Sequence, residues 1–332
     1  MRDLAAISIW LALLAIAPAV AQEPIMLKLS HFLGPTSFFE TDFAQPWARE
    51  LEARTNGAVR VQIVNASTPF GEVTKQATQV KDGTIDIALG LRGAEGDRFP
   101  RSAIIELPFV VHDALDGSRA LWGLYRDGVL GDEYRDYKVL ALFVHNPGLI
   151  HTAEKRIVTP DDLRDQRLRA PNPTVAAALR ALGATPVILQ VNDVMPAVKD
   201  HSIDGIVTNW GNPLPGFNDH MKHHTEVAFY TSAFFVVMNR QKFDSLPADV
   251  RAAIDDLSGA RLVTRLGLLW NKWDRPVREG AAGPGQEIIV PDEAALAQWQ
   301  DAMRPVTERC LDAMVAGGFT DARAAYAKLA SR

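Results

Sequence analysis

From Met26 to Ser30 apolar and polar side chains alternate with the period of a half-buried strand. The run ends in His31-Phe32-Leu33-Gly34-Pro35, after which Thr36 or Ser37 is placed to cap a helix. Phe39, Phe43, Trp47 and Leu51 then recur every four residues, an apolar stripe on one helix face that Pro46 is expected to kink. Asn56-Gly57 marks a turn, and Val59–Val64 alternates as a second strand. A helix over Val73–Lys81, a strand over Ile85–Leu89, the apolar stretch Ile104–Val111, a helix around Ser118–Tyr125 and a strand over Val139–Val144 continue the series. Such alternation predicts the α/β class: a mostly parallel sheet covered by helices, with its binding crevice at the carboxyl ends of the strands. His31, Phe32, Gly90–Gly93 and His145–Gly148 fall at such ends.

A second α/β unit is predicted from about Leu149 to Tyr230, with short strands over Arg167–Arg169, Thr185–Leu189 and Gly205–Val207. Ala233–Met238 reads as a strongly apolar strand. Pro247–Trp273 carries a helical stripe long enough to span about 40 Å and to lie across two units. Pro276 and the glycine-rich EGAAGPG segment are expected to end it; a strand over Glu287–Val290 and helices over Glu293–Val315 and Ala322–Leu329 close the chain.

The stretch from Arg167 to Trp210 gathers the chemistry. Leu168 and Arg169 point to opposite faces of an extended segment, and Pro171 and Pro173 turn the chain into a helix over Thr174–Leu182. A guanidinium fork at a helix start selects a carboxylate or another oxyanion, so Arg169 is the candidate anchor for an anionic small molecule; the competing reading is a structural ion pair.

Residues 4–17 form an apolar run after Arg2, followed by Ala19-Val20-Ala21, which predicts a secretory signal peptide over residues 1–21 and a protein placed outside the cytoplasm. A retained N-terminal anchor is the alternative. The formal net charge of −5, with no basic stripe, argues against a nucleic-acid partner. Cys310, the single cysteine, falls in an apolar helical pattern and reads as core. His220, His223 and His224 in NDHMKHHTE offer one metal-binding pattern, since His220 and His224 have helical spacing, but no glutamate lies between them as the zinc-protease motif requires; an exposed polar helix face is the plainer reading. The glycines at 90, 93 and 96 lack dinucleotide-motif spacing.

Seven segments together carry a family resemblance: LKLSHF, WARELEARTNGAVRVQI, VKDGTIDIALG, GDRFPRSAIIELPF, RLRAPNPTVAAALRALGATPV, SIDGIVTNW and FFVVMNRQKFDSLP. The chain resembles the solute-binding proteins of tripartite ATP-independent periplasmic (TRAP) transporters, the DctP-like group, along nearly its whole length. The resemblance implies a two-domain, Venus-flytrap fold with a crossing helix, divided as 22–146 plus 234–273 and 147–233 plus 274–332. It also implies a periplasmic, non-enzymatic monomer without cofactor that closes on an organic acid and delivers it to a membrane permease. Arg169 matches the family's carboxylate-binding arginine; Asn172, Thr208, Asn209 and Trp210, with Phe32, Leu91 and Arg92 from the first domain, match positions that face ligand. Core aromatics are the competing reading for Phe32 and Trp210, and a solvated charge for Arg92. Facing the cleft, Arg92 favours a dianion, whereas Phe32 and Trp210 favour an apolar or aromatic tail. Leu149 stands where the sialic-acid-binding branch has a second arginine, and Gly211 where the keto-acid branch has a glutamate, so neither mode is expected. A ligand-sensing partner of a membrane receptor and, further off, a metal-dependent enzyme built on the three histidines are the rival functions.

Overall fold

A computed structural model describes residues 23–211, 214 and 216–332; the expected signal peptide lies outside the described residues. In chain order the strands are β1 (Ile25–His31), β2 (Val59–Val64), β3 (Ile87–Leu91), β4 (Tyr137–Val144), β5 (Gly148–Thr152), β6 (Arg167–Ala170), β7 (Thr185–Ile188), β8 (Gly205–Thr208), β9 (His223–Tyr230), β10 (Ala233–Asn239) and β11 (Glu287–Ile289). They form two sheets. The first has the order β2-β1-β3-β10-β4, and the second β11-β9-β5-β8-β6-β7.

Both sheets are mixed rather than mostly parallel. β1 pairs parallel with β2 and β3, but β10 enters between β3 and β4 antiparallel to each. In the second sheet β5 runs antiparallel to β8 and β9, while β6 is parallel to β7 and β8. The reason lies in the connections. β4 runs into β5, and β9 into β10, through two or three residues each, so the chain changes sheet without the crossover helix that a parallel return requires. Sequence periodicity missed β5 because it is buried along its whole length and shows no alternation; β9 alternates over Thr225–Phe229 but begins in the histidine cluster, where His220 and His224 suggested helical spacing.

The first helical segment is a wide π turn over Phe39–Ala44 that passes into an α-helix at Gln45, with Pro46 in its first turn. Phe39, Phe43, Trp47 and Leu51 are all buried against the first sheet, as their spacing predicts. Ile104–Val111 forms no strand; a short 3-10 turn covers Ser102–Glu106. The single long helix expected over Pro247–Trp273 is two helices, Ala248–Asp256 and Gly259–Gly280. Ser258 is extended and Gly259 adopts φ +64°, a left-handed conformation that breaks the first helix, and the second runs on through Pro276 instead of stopping there. This second helix has 22 residues and spans about 33 Å. Its Leu262, Val263, Leu266, Trp270 and Trp273 join the core of the first sheet, and Ala281 just beyond it joins a core of the second. It crosses from one layer system to the other.

The C-terminal segment also divides between the two. Trp299, Met303 and Val306 pack with the second sheet, whereas Leu311, Phe319, Ala322, Ala325 and Leu329 return to the first, beside Phe99 and Ile104. Among the described residues no helix is long and apolar enough to cross a membrane.

Gly205 opens β8 in close approach to β5: a Cβ there falls 2.4 Å from the His151 carbonyl oxygen, which is backbone and cannot turn aside. Gly205→Ala is expected to cost about 1–3 kcal/mol of stability, read as a lower urea midpoint; an unchanged midpoint contradicts the close packing of these strands.

Candidate functional site

A cavity opens between the two sheets, beneath the crossing helix. Phe32, Leu33, Phe38, Phe39, Leu91, Phe234, Trp270 and Trp273 line it from the side of the first sheet, and Arg169, Pro171, Val191, Thr208, Asn209, Gly211 and Tyr230 from that of the second. His145 and Ser232, at the two points where the chain changes sheet, complete the wall. The first wall is a herringbone of rings: Phe39 meets Trp270 edge-on at 5.5 Å and Trp273 at 5.1 Å, Phe234 lies 5.7 Å from Trp270, and Phe38 stacks on Trp273 at 5.5 Å. Phe32 and Leu33 are held by a polar peg beneath them. His31 Nδ1 accepts from the Leu33 backbone N–H, and its Nε2 donates to Glu40 at 2.7 Å.

Among the described residues Arg169 is the only charged side chain in the lining. It is 4% exposed, and burial drives its pKa down from the ordinary arginine value, with Tyr230 acting the other way. Nε donates to the Leu189 carbonyl at 3.2 Å and Nη1 to the Val207 carbonyl at 3.3 Å. Two of five N–H groups are thus used, and among the described residues no carboxylate pairs with it. The structural ion pair considered from sequence does not form. A guanidinium stays charged under these conditions, so the cavity carries one net positive charge awaiting an anion.

The polar groups beside Arg169 are neutral and hydrogen-bonded. His145 Nε2 accepts the Ser232 backbone N–H at 3.0 Å, which leaves the ring proton on Nδ1, donated to the Asn146 carbonyl. Burial, with Arg169 nearby, lowers its pKa to about 4. Burial pushes the Tyr230 phenol up to about 12, and it bonds Thr208 and Ser232 as a neutral hydroxyl. Asn209 Nδ2 donates at 3.0 Å to Asp274 on the crossing helix, whose Oδ1 also accepts the Gly211 N–H at 2.6 Å. Desolvation raises the Asp274 carboxyl to about 6.

Five of the eight residues expected from sequence therefore meet in the cavity: Arg169, Thr208, Asn209, Phe32 and Leu91. Three do not. Arg92 is buried in a two-pronged ion pair with Glu106, Nε to Oε1 at 3.0 Å and Nη2 to Oε2 at 2.6 Å, so it adds no field to the cavity. Asn172 spends its Oδ1 on the Val175 N–H as the helix N-cap, and Pro173 has no N–H, so the helix start offers fewer open amides than sequence suggested. Trp210 turns away, donating to Glu226 at 3.0 Å and packing on His151 and His224. The histidine pattern also dissolves. His220 ends the short helix Phe217–His220, whereas His223 and His224 are neighbours on β9 and face opposite ways. His224 bonds His151 and Gln286, and His223 bonds Glu287; among the described residues no three such groups could hold a metal. Sequence missed Tyr230, Trp270, Trp273 and Phe234 as lining, because apolar residues on a core-facing stripe look the same whether they meet protein or a cavity.

The family model of bacterial extracellular solute-binding proteins, family 7 (DctP), matches residues 29–313. The chain belongs to that family. One similar solved structure is a TRAP solute-binding protein from a marine metagenome, specific for aromatic acids and holding metahydroxyphenylacetate: it is 31% identical, covers 92% of this chain and 98% of its own, and has a TM-score of 0.86. A TRAP solute-binding protein of Rhodoferax ferrireducens with copurified benzoate is 29% identical over 92% and 99% of the two chains, with a TM-score of 0.84. The outer membrane transporter protein TsaT of Comamonas testosteroni is 25% identical over 307 residues, 90% of either chain. As a DctP-family member the chain has the role of an extracytoplasmic binding component that serves a membrane permease, and its relatives are binding proteins rather than enzymes.

Asp274 and His145 respond to pH in opposite senses. Folding takes up a proton on Asp274 between its ordinary 3.8 and about 6, so its contribution is present at low pH and lost as pH rises through 6; neutral His145 contributes above its ordinary 6.5 and loses that as pH falls through about 4. Asp274→Asn keeps an oxygen for the Asn209 and Gly211 donors, alters the contact with the Asn146 side chain equally at every pH, and abolishes the first effect. In denaturation at about pH 4.5 and about pH 7.5, the variant's stability relative to wild type should rise by about 2 kcal/mol from the lower pH to the higher. A pH-independent difference contradicts the buried carboxyl.

Proposed function

We propose that this protein is the periplasmic binding component of a TRAP transporter for an aromatic monocarboxylate, exported with cleavage of residues 1–21. The observation that carries the reading is the lone buried guanidinium of Arg169, without a carboxylate partner among the described residues, at one side of a cavity whose opposite side is aromatic rings. The carboxylate binds the free N–H groups of Arg169, a charge-assisted contact. The ring lies against Phe39, Phe234, Trp270 and Trp273, where edge-to-face contacts are available. Similar proteins solved with metahydroxyphenylacetate and benzoate support the class.

One charge, not two, is what the lining neutralises. Glu106 already cancels Arg92, so a dicarboxylate entering this cavity leaves its second carboxylate desolvated and unpaired. Residues 22–146 with 234–273 form one domain and 147–233 with most of the remainder the other; the ligand bridges them and shifts the population toward a closed form. Phe32, Leu91, Thr208 and Asn209 complete the contact surface.

Thermal-shift titration tests this. At a benzoate concentration 100 times the Kd the folded state gains about 2.7 kcal/mol, a clear rise in Tm, whereas isophthalate gives none. Arg169→Lys, which keeps the charge but loses the fork, should weaken benzoate binding about 10- to 100-fold. Binding of isophthalate as tight as benzoate, or unchanged affinity in the lysine variant, refutes the reading.

A further inference from the structure

Asp274 follows Trp273 on the crossing helix, behind the cavity wall, and is 7% exposed. Its Oδ1 accepts from Asn209 Nδ2 at 3.0 Å and from the Gly211 backbone N–H at 2.6 Å, both of them cavity residues just past the end of β8. The Asn146 side chain, between β4 and β5, bonds it as well. Asn146 gives its Oδ1 to the Ala114 N–H at 2.7 Å, so its amide nitrogen is what it offers Asp274. Three donors from two loops converge on one carboxylate, on the helix that carries Trp270 and Trp273.

Only a glycine fits at position 211. A Cβ there falls 2.3 Å from Asp274 Oδ1 and 3.2 Å from the helix backbone at Trp273 and Asp274, so the loop lies directly on the helix. The same segment supports the other side of the cavity: the Val207 carbonyl, four residues before Gly211, accepts from Arg169 Nη1. Residues 207–211 therefore hold the guanidinium at one end and meet Asp274 at the other. A second tie to the crossing helix runs through Glu226, whose Oε1 accepts from Trp210 Nε1 and from Arg278 Nε. The Arg278 side chain in that pair is half exposed, where ion pairs contribute little, whereas the bonds to Asp274 are buried and charge-assisted.

We propose that Asp274 is a positioning residue that sets ligand length: by holding Asn209 and Gly211 against the crossing helix, it fixes the distance between the Arg169 guanidinium and the rings of Trp270 and Trp273, and with it the number of carbons the cavity accepts between carboxylate and aromatic ring. This rests on the aromatic monocarboxylate reading above. Asp274 lies outside the lining and acts through the two residues it holds. An acid one methylene too long must lift residues 207–211 off the helix and break buried hydrogen bonds to a carboxylate, a cost that an acid of the right length does not meet.

Calorimetric titration of the full mature chain with benzoate, phenylacetate, 3-phenylpropionate and 4-phenylbutyrate, which differ only in the methylenes between ring and carboxylate, tests the assignment. Wild type should favour one acid over its next longer neighbour by about tenfold or more. Asp274→Ala should bring that pair within about threefold, and Asp274→Asn, which keeps an oxygen for the Asn209 and Gly211 donors, should retain most of the preference. A merely structural loss leaves the ratio alone, because a smaller binding-competent fraction weakens every acid by the same factor. A readout on wild-type protein guards against an alanine variant that fails to fold: the Gly211 N–H should be protected from hydrogen exchange in the free protein and with the favoured acid, and should exchange about tenfold faster when the site is saturated with the longer one. Near-equal affinities in wild type, a ratio unchanged in Asp274→Ala or lost equally in Asp274→Asn, or Gly211 protection indifferent to ligand length overturn the role of Asp274 while leaving the aromatic-acid reading intact. Failure of all four acids to bind overturns both.

Discussion

A guanidinium buried to 4% exposure without a carboxylate beside it is the constraint that the rest of this molecule answers. Charge removed from water is costly, and nothing in a hydrophobic core repays it. Here two carbonyl oxygens, from Leu189 and Val207, hold the fork in place and partly solvate it. They belong to the end of β7 and to β8, the neighbours of β6, so the geometry of the second sheet is what aims Arg169. The titratable groups beside it are held neutral by burial: imidazole without a second proton and phenol undissociated. A counter-ion in the lining would have relieved Arg169 and emptied the cavity of purpose.

The same reasoning explains the other arginine. Arg92 lies only one residue from Leu91 in the cavity wall, yet Glu106 holds it by two hydrogen bonds, and Glu106 also accepts the Ala233 N–H at the start of β10. That pair fastens the strand that arrives from the second sheet to the loops of the first. One arginine is structural and the other is left for a ligand, and the difference is a single glutamate.

How much of this was legible in the chain varies with the physics of each part. The stripe of Phe39, Phe43, Trp47 and Leu51 and the strand Val59–Val64 were plain because one face of each is buried and the other is not. β5 was hidden because burial on both faces removes the alternation, and β9 because the spacing of His220 and His224 at its start suggested a helix. The break at Ser258-Gly259 was marked only by a glycine, and a glycine does not announce whether it will use its left-handed freedom. Arg169 could be named from its place after a short strand, but whether it meets a carboxylate is a matter of which loops approach it, and that is long-range. Arg92 and Trp210 carried as much sequence signal as Arg169 and turned the other way, toward Glu106 and Glu226. Trp270 looked like core and is core on every side but one.

The position of β10 has a further consequence, for the order in which the molecule can assemble. Residues 233–239 supply the strand that joins β3 to β4, so the chain up to the end of β4 at Val144 holds a sheet with a gap in its middle. Until β5 to β9 have been made, the first has two exposed strand edges and no way to pair them. The β4–β5 and β9–β10 crossings thus make the two units interdependent in time: neither half can settle early, and the long-range pairing that closes the first sheet belongs among the late, slow steps. A sheet unable to close ahead of its last strand delays the compact state until residue 239 has been made.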